Sequence, residues 1–339
     1  MSAGNFDCAA LLESKVMLNE IWADSQEQTD YIAEVEALKV IQSNQRGMAL
    51  APLQDSQKDR SMKVIWLSNC PDGTTVEDVA SACTIEGSEI GDNCKDYTLT
   101  RSKMIEFKVP RKAYRTSLWS KEEVAAKALL VNMKALDEYI AEDVISIMDT
   151  FSGLNQFVPA PFTQAGNVTT IPAAYWTPNL FGYFAQTAIK NRMRDAYMLS
   201  GNNLFQTQWM VDMESANAQG GAANTRKMGS MAKYFDLFNL DSVLGAQKTF
   251  LIRPTSMAFV SKNYNTNSTP IAVGGNVGQD LYNMASKNLP FITYDVIHTV
   301  TCEDNEYWDK WRLEAYYDVL QNPTNCNGQL TGQLAFACE

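Results

Sequence analysis

The chain has 339 residues, 45% of them hydrophobic and 20% charged, which allows two or three domains and a sizeable core. Its 39 acidic residues outnumber 28 basic ones for a net charge of −11. That balance argues against general nucleic-acid binding, which needs surplus Lys and Arg to neutralise phosphate.

No apolar run approaches the ~20 residues of a membrane helix. The first residues, "MSAGNFDCAALLESKV", lack a basic stretch followed by a long apolar one. The expectation is a chain made in the cytoplasm with no membrane association. Seven cysteines occur, at 8, 70, 83, 94, 302, 326 and 338, with no C-x-x-C pair, so no zinc ribbon or finger spacing is present. Free structural thiols and some disulfide pairing both stay open.

In chain order, residues 6–46 show apolar residues three and four apart and predict helices. They hold too few apolar residues for a core of their own, so this segment reads as an arm lying on something else. "MKVIWLSN" (62–69) reads as a strand, "CPDG" as a turn, and 70–95 as a small, acidic loop carrying three cysteines. Residues 95–110 alternate as one long strand. Together, 60–110 reads as a two-stranded ribbon projecting from the body, marginal alone and in need of a partner surface. The stretch 95–121 is locally basic, with Lys95, Arg101, Lys103, Lys108, Arg111, Lys112, Arg115 and Lys121. It is either a solvated face or a face that docks on an acidic neighbour.

Ser120-Lys121-Glu122-Glu123 forms a capping box. Ala125, Leu129, Met133, Leu136, Ile140, Val144, Ile147 and Phe151 then make one stripe, which predicts a core-facing helix of ~45 Å. Lys127, Lys134, Asp137, Glu138 and Glu142 are expected to keep its other faces wet. A further helix is predicted after Thr177-Pro178, through 179–198. In "KTFLIRPTSMAFVSKN" (248–263), Phe250–Ile252 reads as a buried strand and Pro254 as the start of a short helix with an apolar face over 257–260. Residues 289–301, 310–320 and 328–338 read as strands. The order is α+β and not a repeating βαβ pattern.

Candidate chemistry is sparse. A Ser-His-Asp or Cys-His site would have to use His298, the only histidine, which falls in a predicted strand beside Asp295 and Cys302 without a recognised motif. "GGNVGQ" (274–279) lacks the Lys-Ser/Thr of a phosphate loop. The acidic clusters at 86–96 and 302–309 miss the calcium-loop register. No catalytic, cofactor-binding or metal-binding residue is assigned, and no cofactor is expected.

The order of parts resembles the major capsid proteins of tailed bacteriophages, the Hong Kong 97-like fold. The resemblance rests on the arm, the ribbon, the capped long helix, "LSGNNLF", "DLFNLDSVLG" and the strand–Pro junction "TFLIRPTSMAFV". It implies an N-terminal arm over 1–47, an extended β-hairpin loop with an insertion over 48–118, and a spine helix with peripheral domain over 119–200. An axial domain over 201–290 and return strands over 291–339 complete it. The implied function is a non-enzymatic shell subunit that self-assembles into hexamers and pentamers, encloses double-stranded DNA without sequence-specific binding, and resides in the virion. Portal, decoration proteins and a scaffold encoded separately, or none, are the implied partners. Intersubunit contacts would involve Trp66, Arg101, Lys103, Lys108, Arg111, Lys112 and Arg115, and Cys70, Cys83 and Cys94 could pair. An encapsulin-like shell, another virion structural protein, and a thiol- or metal-dependent enzyme are the alternatives.

Overall fold

The computed structural model describes residues 8–24, 26, 28–45, 48–51, 61–67, 92–112, 120–176, 179–193, 195–207, 210, 231–245, 247–254, 256–265, 269, 271–273, 279–322 and 332–338. Within these, 8–11, 48–51, 61–63, 65–67, 92–96, 179 and 272–273 are described by backbone alone. Among the described residues it is a mixed α+β fold with one long helix, several shorter ones and three sheets.

The long helix α3 (Lys121–Thr150) follows α1 (Cys8–Ala23) and α2 (Glu36–Asn44) in the chain. Its 30 residues begin where expected, with Ser120 Oγ accepting from the Glu123 N–H at 3.1 Å. The expected stripe is buried from Ala125 to Val144, and a second row, Ala126, Leu130, Ala141, Ile145 and Met148, is buried beside it. Two buried rows mean that the helix is covered on two sides. On one side lies a six-stranded sheet, and on the other Leu18, Ile21, Leu38 and Ile41 of α1 and α2. The arm therefore lies on the long helix of its own chain.

The strands before α3 are β1 (Met48–Ala51), β2 (Ser61–Leu67), β3 (Asp92–Thr98) and β4 (Arg101–Pro110). The single strand expected over 95–110 divides in two. β3 pairs with β2, and β2 with β1, in a small antiparallel sheet. β4 leaves that sheet and runs beside β14 (Glu306–Gln321) over ten residues, Arg101 opposite Tyr317 through Pro110 opposite Trp308. The break is held by Asp318, whose Oδ2 accepts from the Thr100 N–H at 3.0 Å and its hydroxyl at 2.8 Å. The small sheet is also rooted in the body, because Val64 and Leu99 are buried against Ala258, Val260 and Leu320.

The main sheet runs β10 (Met257–Ser261), β14, β13 (Thr293–Glu303), β12 (Gln279–Ala285) and β11 (Ile271–Val273), with β4 also on β14. Burial alternates along β12, β14 and β4, so one face turns to α3 and the other to solvent. The third sheet has the order β5 (Thr163–Ala165), β6 (Val168–Ile171), β15 (Gln333–Cys338), β9 (Thr249–Ile252), β7 (Tyr197–Ser200) and β8 (Lys233–Phe235). It packs against α4 (Asn179–Lys190) through Phe181, Phe184, Phe205 and Phe336. The expected helix over 179–198 thus ends at Lys190 and gives way to β7. The short helix α5 (Asn239–Leu244) precedes β9.

The segment after Pro254 is a strand and not the short helix expected. β9 lies in the third sheet and β10 in the main one, so this junction carries the chain between them. Met257 to Val260 are all buried, and a short run of apolar residues cannot by itself tell a covered strand from a helix. Across the junction, Arg253 N–H donates to Gly332 O at 2.8 Å and Asn322 N–H to Ser256 O at 2.8 Å. Gly332 has φ +74°, and a Cβ there would stand 2.6 Å from Ser256 Cβ, so only glycine fits.

Candidate functional site: the polar seam beneath the long helix

Three aspartates stand six residues apart on α3: Asp137, Asp143 and Asp149. Six residues turn a helix by about 600°, so each points about 120° away from the last, over about 18 Å of axis. Each grips a different part of the molecule.

Asp137 is fully buried. Its carboxylate accepts from Ser286 Oγ at 2.9 and 2.8 Å, from Asn288 Nδ2 at 3.1 Å, and from the Tyr294 hydroxyl. Burial pushes its carboxyl up to about 6 against the pull of those donors. Asn288 passes the connection to the arm: its Oδ1 accepts from the Ala33 N–H at 2.9 Å, and its Nδ2 reaches Tyr31 O at 3.3 Å. The sequence reading had Asp137 in water; the β12–β13 turn covers it instead. A second carboxylate, Asp236, accepts from the N–H groups of Ala37 and Asn239, each at 2.8 Å, and so caps both α2 and α5.

Asp143 receives Arg101 Nη1 at 2.7 and 2.9 Å and the Tyr317 hydroxyl at 2.7 Å, which ties α3 to β4 and β14. Asp149 receives Lys248 Nζ at 2.8 Å on both oxygens, beside the start of β9.

His298 lies on the α3 side of the main sheet. Its Nδ1 stands 3.3 Å from Asp280 Oδ2 and its Nε2 3.1 Å from Asp309 Oδ1, with the Trp311 ring 4.3 Å away. A neutral imidazole donates at one nitrogen only, so both carboxylates are served only when the trio holds one further proton. Arg111 pairs Asp309 through Nε and Nη2, each at 3.1 Å. Burial raises the Asp309 carboxyl, but the bonds from His298 and Arg111 outweigh it and hold the group at about 2. The histidine is flanked by acids on both sides, with its ring against Trp311, and among the described residues no hydroxyl or thiol is hydrogen-bonded to either nitrogen. Among the described residues, no group of three or more His, Cys, Asp or Glu side chains could hold a metal ion. No described helix is long and apolar enough to cross a membrane.

The basic residues singled out in the sequence mostly find acids or aromatics of their own chain. Arg101 and Arg111 pair with Asp143 and Asp309. Lys103 Nζ lies 4.8 Å from the Tyr139 ring centre, and Lys108 Nζ 4.5 Å from that of Trp308. Lys108 also faces Glu303 at 3.7 Å, and Lys112 faces Glu306 at 3.6 Å. Trp66 and Cys94 are placed by backbone alone in β2 and β3, while Cys70, Cys83 and Arg115 lie outside the described residues. Cys302 is an exposed free thiol and Cys338 a buried one. Asp143, Asp149 and Asp236 escaped the sequence reading. The six-residue rhythm of aspartates inside an apolar helix was the available signal.

No protein-family model matches this chain, and no curated protein matches it by sequence. Among solved structures, a chain from Mycobacterium phage Che8 is 14% identical, with 91% of this chain and 89% of that one covered and a TM-score of 0.40. A chain of the mature capsid of bacteriophage PhiM1 is 10% identical, with 85% and 84% covered and a TM-score of 0.41. One from the capsid of cyanophage P-SCSP1u is 7% identical, with 85% and 88% covered and a TM-score of 0.43.

Proposed function

We propose that this chain is a major capsid protein of the Hong Kong 97-like kind, which self-assembles into hexamers and pentamers and closes an icosahedral shell around double-stranded DNA. The observation that carries the reading is the long helix: a rigid 30-residue rod clamped on three sides by aspartates, with an arm laid along it and two sheets joined through it. Such a body suits a subunit whose work is to hold a fixed shape against its copies. The surplus of acid fits a wall that does not trap a polyanion.

On this reading the small sheet of β1–β3, with Trp66, reaches a neighbouring copy. Lys108 and Lys112, whose side chains are 54% and 70% exposed, offer their charges to it, together with Arg115. Arg101, Lys103 and Arg111 would join only by exchanging partners within the chain. Portal, scaffold and decoration proteins are the further partners of such a shell, and the virion is its place.

Electron microscopy of the purified chain, with subunits counted per ring, tests the proposal. Closed shells built from rings of six and five are expected. A discrete monomer or dimer that stays unassembled even beside the other virion proteins would overturn it.

A further inference from the structure

The arm is fastened to the body at separate points, and one of them hangs on a buried acid. Residues 30–34 cross α3 beside Asp137: Lys134 Nζ donates to Asp30 O at 3.2 Å, and the Glu34 N–H reaches Glu138 Oε1 at 3.4 Å. Between these two points the buried Ala33 N–H donates to Asn288 Oδ1 at 2.9 Å. Asn288 Nδ2 reaches Tyr31 O at 3.3 Å and Asp137 Oδ2 at 3.1 Å. One amide side chain therefore ties two points of the arm's backbone to one carboxylate.

That carboxylate is shut in without a cation. Among the described residues, no lysine, arginine or histidine stands within ion-pair distance of Asp137. Lys134 on its own helix and Lys287 on the β12–β13 turn give their ammonium groups to Asp30 O and Asn19 Oδ1. Glu138 adds a like charge beside it. From the sheet, burial and Asp137 itself hold the Tyr294 hydroxyl well above the ordinary tyrosine range, so it stays a donor, and the Tyr317 hydroxyl belongs to Asp143. The acids of the overlying segment, Asp30, Glu34 and Glu36, are exposed. Ionising Asp137 in this enclosure costs free energy that water would return, which agrees with a carboxyl raised from 3.8 to about 6.

We propose that Asp137 and Asn288 form a proton-operated clasp on the arm: with the carboxyl protonated the segment over 30–33 is held down, and with it ionised that segment lifts and lets water reach the charge. The sign follows from linkage. The closed state binds the proton more tightly than a lifted state in which the carboxyl is hydrated, so acid favours closure and rising pH favours the lift. Further along, Asn239 Nδ2 holds Glu34 O, and Asp236 Oδ2 takes the Ala37 N–H at 2.8 Å. The lift therefore stops at Glu34 and leaves α2 seated. The clasp makes the arm's attachment to its own long helix a function of proton concentration, whether or not the chain builds a shell.

The experiment is hydrogen–deuterium exchange on the full chain from pH 4 to pH 7, corrected for the intrinsic pH dependence of exchange and read at the Ala33 amide. Its protection is expected to fall by up to roughly fiftyfold over that range, the limit for a carboxyl that moves between 3.8 and about 6. Low concentrations of urea should leave the Ala33 rate unchanged, as a local opening requires, while the slowest core amides speed up. Asp137→Asn should flatten the pH curve. If that variant fails to fold, the pH and urea curves of the natural chain decide alone. A flat pH curve in the natural chain, an equal fall in Asp137→Asn, or an Ala33 rate that follows urea as the slowest core amides do overturns the proposal.

Discussion

The two six-stranded sheets are held to their helices by different forces. The main sheet meets α3 through ionised and hydroxyl groups as well as aliphatic ones: Asp143 with Arg101 and Tyr317, and Asp137 with Ser286 and Tyr294. Within the sheet, His298 stands between Asp280 and Asp309. The third sheet meets α4 through rings, with Phe184 and Phe336 centred 5.0 Å apart and Phe162 and Tyr183 4.8 Å apart, both edge to face. Ring packing tolerates small shifts and hardly notices salt or pH. Buried ion pairs demand one geometry and respond to both. The comparison teaches that one half of the molecule has its position specified by charge and the other its cohesion supplied by apolar burial.

The largest effect should come from the aromatic half. Phe184 is fully buried among Tyr183, Phe205 and Phe336. Phe184→Ala is expected to cost about 3–5 kcal/mol, read as a lowered urea midpoint, with the same loss at low and high salt. A loss that changed with salt would break the distinction between the halves.

Next comes Asp137, where the expected signature is pH. Its carboxyl is raised from an ordinary 3.8 to about 6 in the folded chain. A raised carboxyl favours the protonated form, so its contribution to stability is complete below pH 3.8 and is lost as pH rises through about 6. That displacement corresponds to about 3 kcal/mol. The natural chain should therefore lose stability across this window relative to Asp137→Asn, which carries no ionisable group there. Denaturant titrations of both proteins at several pH values give the difference directly. A constant difference from pH 4 to 7 would show that Asp137 titrates normally.

Asp143→Ala should cost about 2 kcal/mol, because it strands the Arg101 guanidinium and leaves the buried Tyr317 hydroxyl without its acceptor. Arg101→Met in the same background should add little, since both changes break one contact. Full additivity in that double-mutant cycle would mean that the pair does not act as a unit.

How much of this could be read in the chain depends on range. The long helix was legible because its start, stripe and stop lie within about 30 consecutive residues. The late strands 289–301 and 310–320 were legible for the same reason, and so was His298's place on one of them. Asp137 was not, because the groups that bury it, Ser286 and Tyr294, come from about 150 residues further on. The division of 95–110 into β3 and β4 was hidden likewise: the side chain that catches Thr100 is Asp318, 218 positions away. The junction at Pro254 read as strand, then helix, because Met257–Val260 carry no alternation. Their strand state comes from β14, which lies alongside them.

The smallest effect bears on where the two halves meet. Lys248, just before β9, reaches Asp149 near the C-terminal end of α3, so this ion pair spans from the charge-fastened half to the ring-packed one. Gln333 of β15 makes a second link, with its side-chain Nε2 donating to Met148 O at 2.6 Å and its backbone carbonyl accepting from the Gly153 N–H at 2.9 Å. The pair is partly open to solvent, with side chains 15% and 29% exposed, so Lys248→Met is expected to cost about 1 kcal/mol at low salt and less at high salt. The more telling readout is cooperativity. If the lysine only adds stability, unfolding followed by tryptophan fluorescence and by circular dichroism should stay coincident in Lys248→Met, because Gln333 still joins the halves. Two separate transitions would mean that one surface ion pair carries the coupling, and that the ring-packed half unfolds on its own once it is gone.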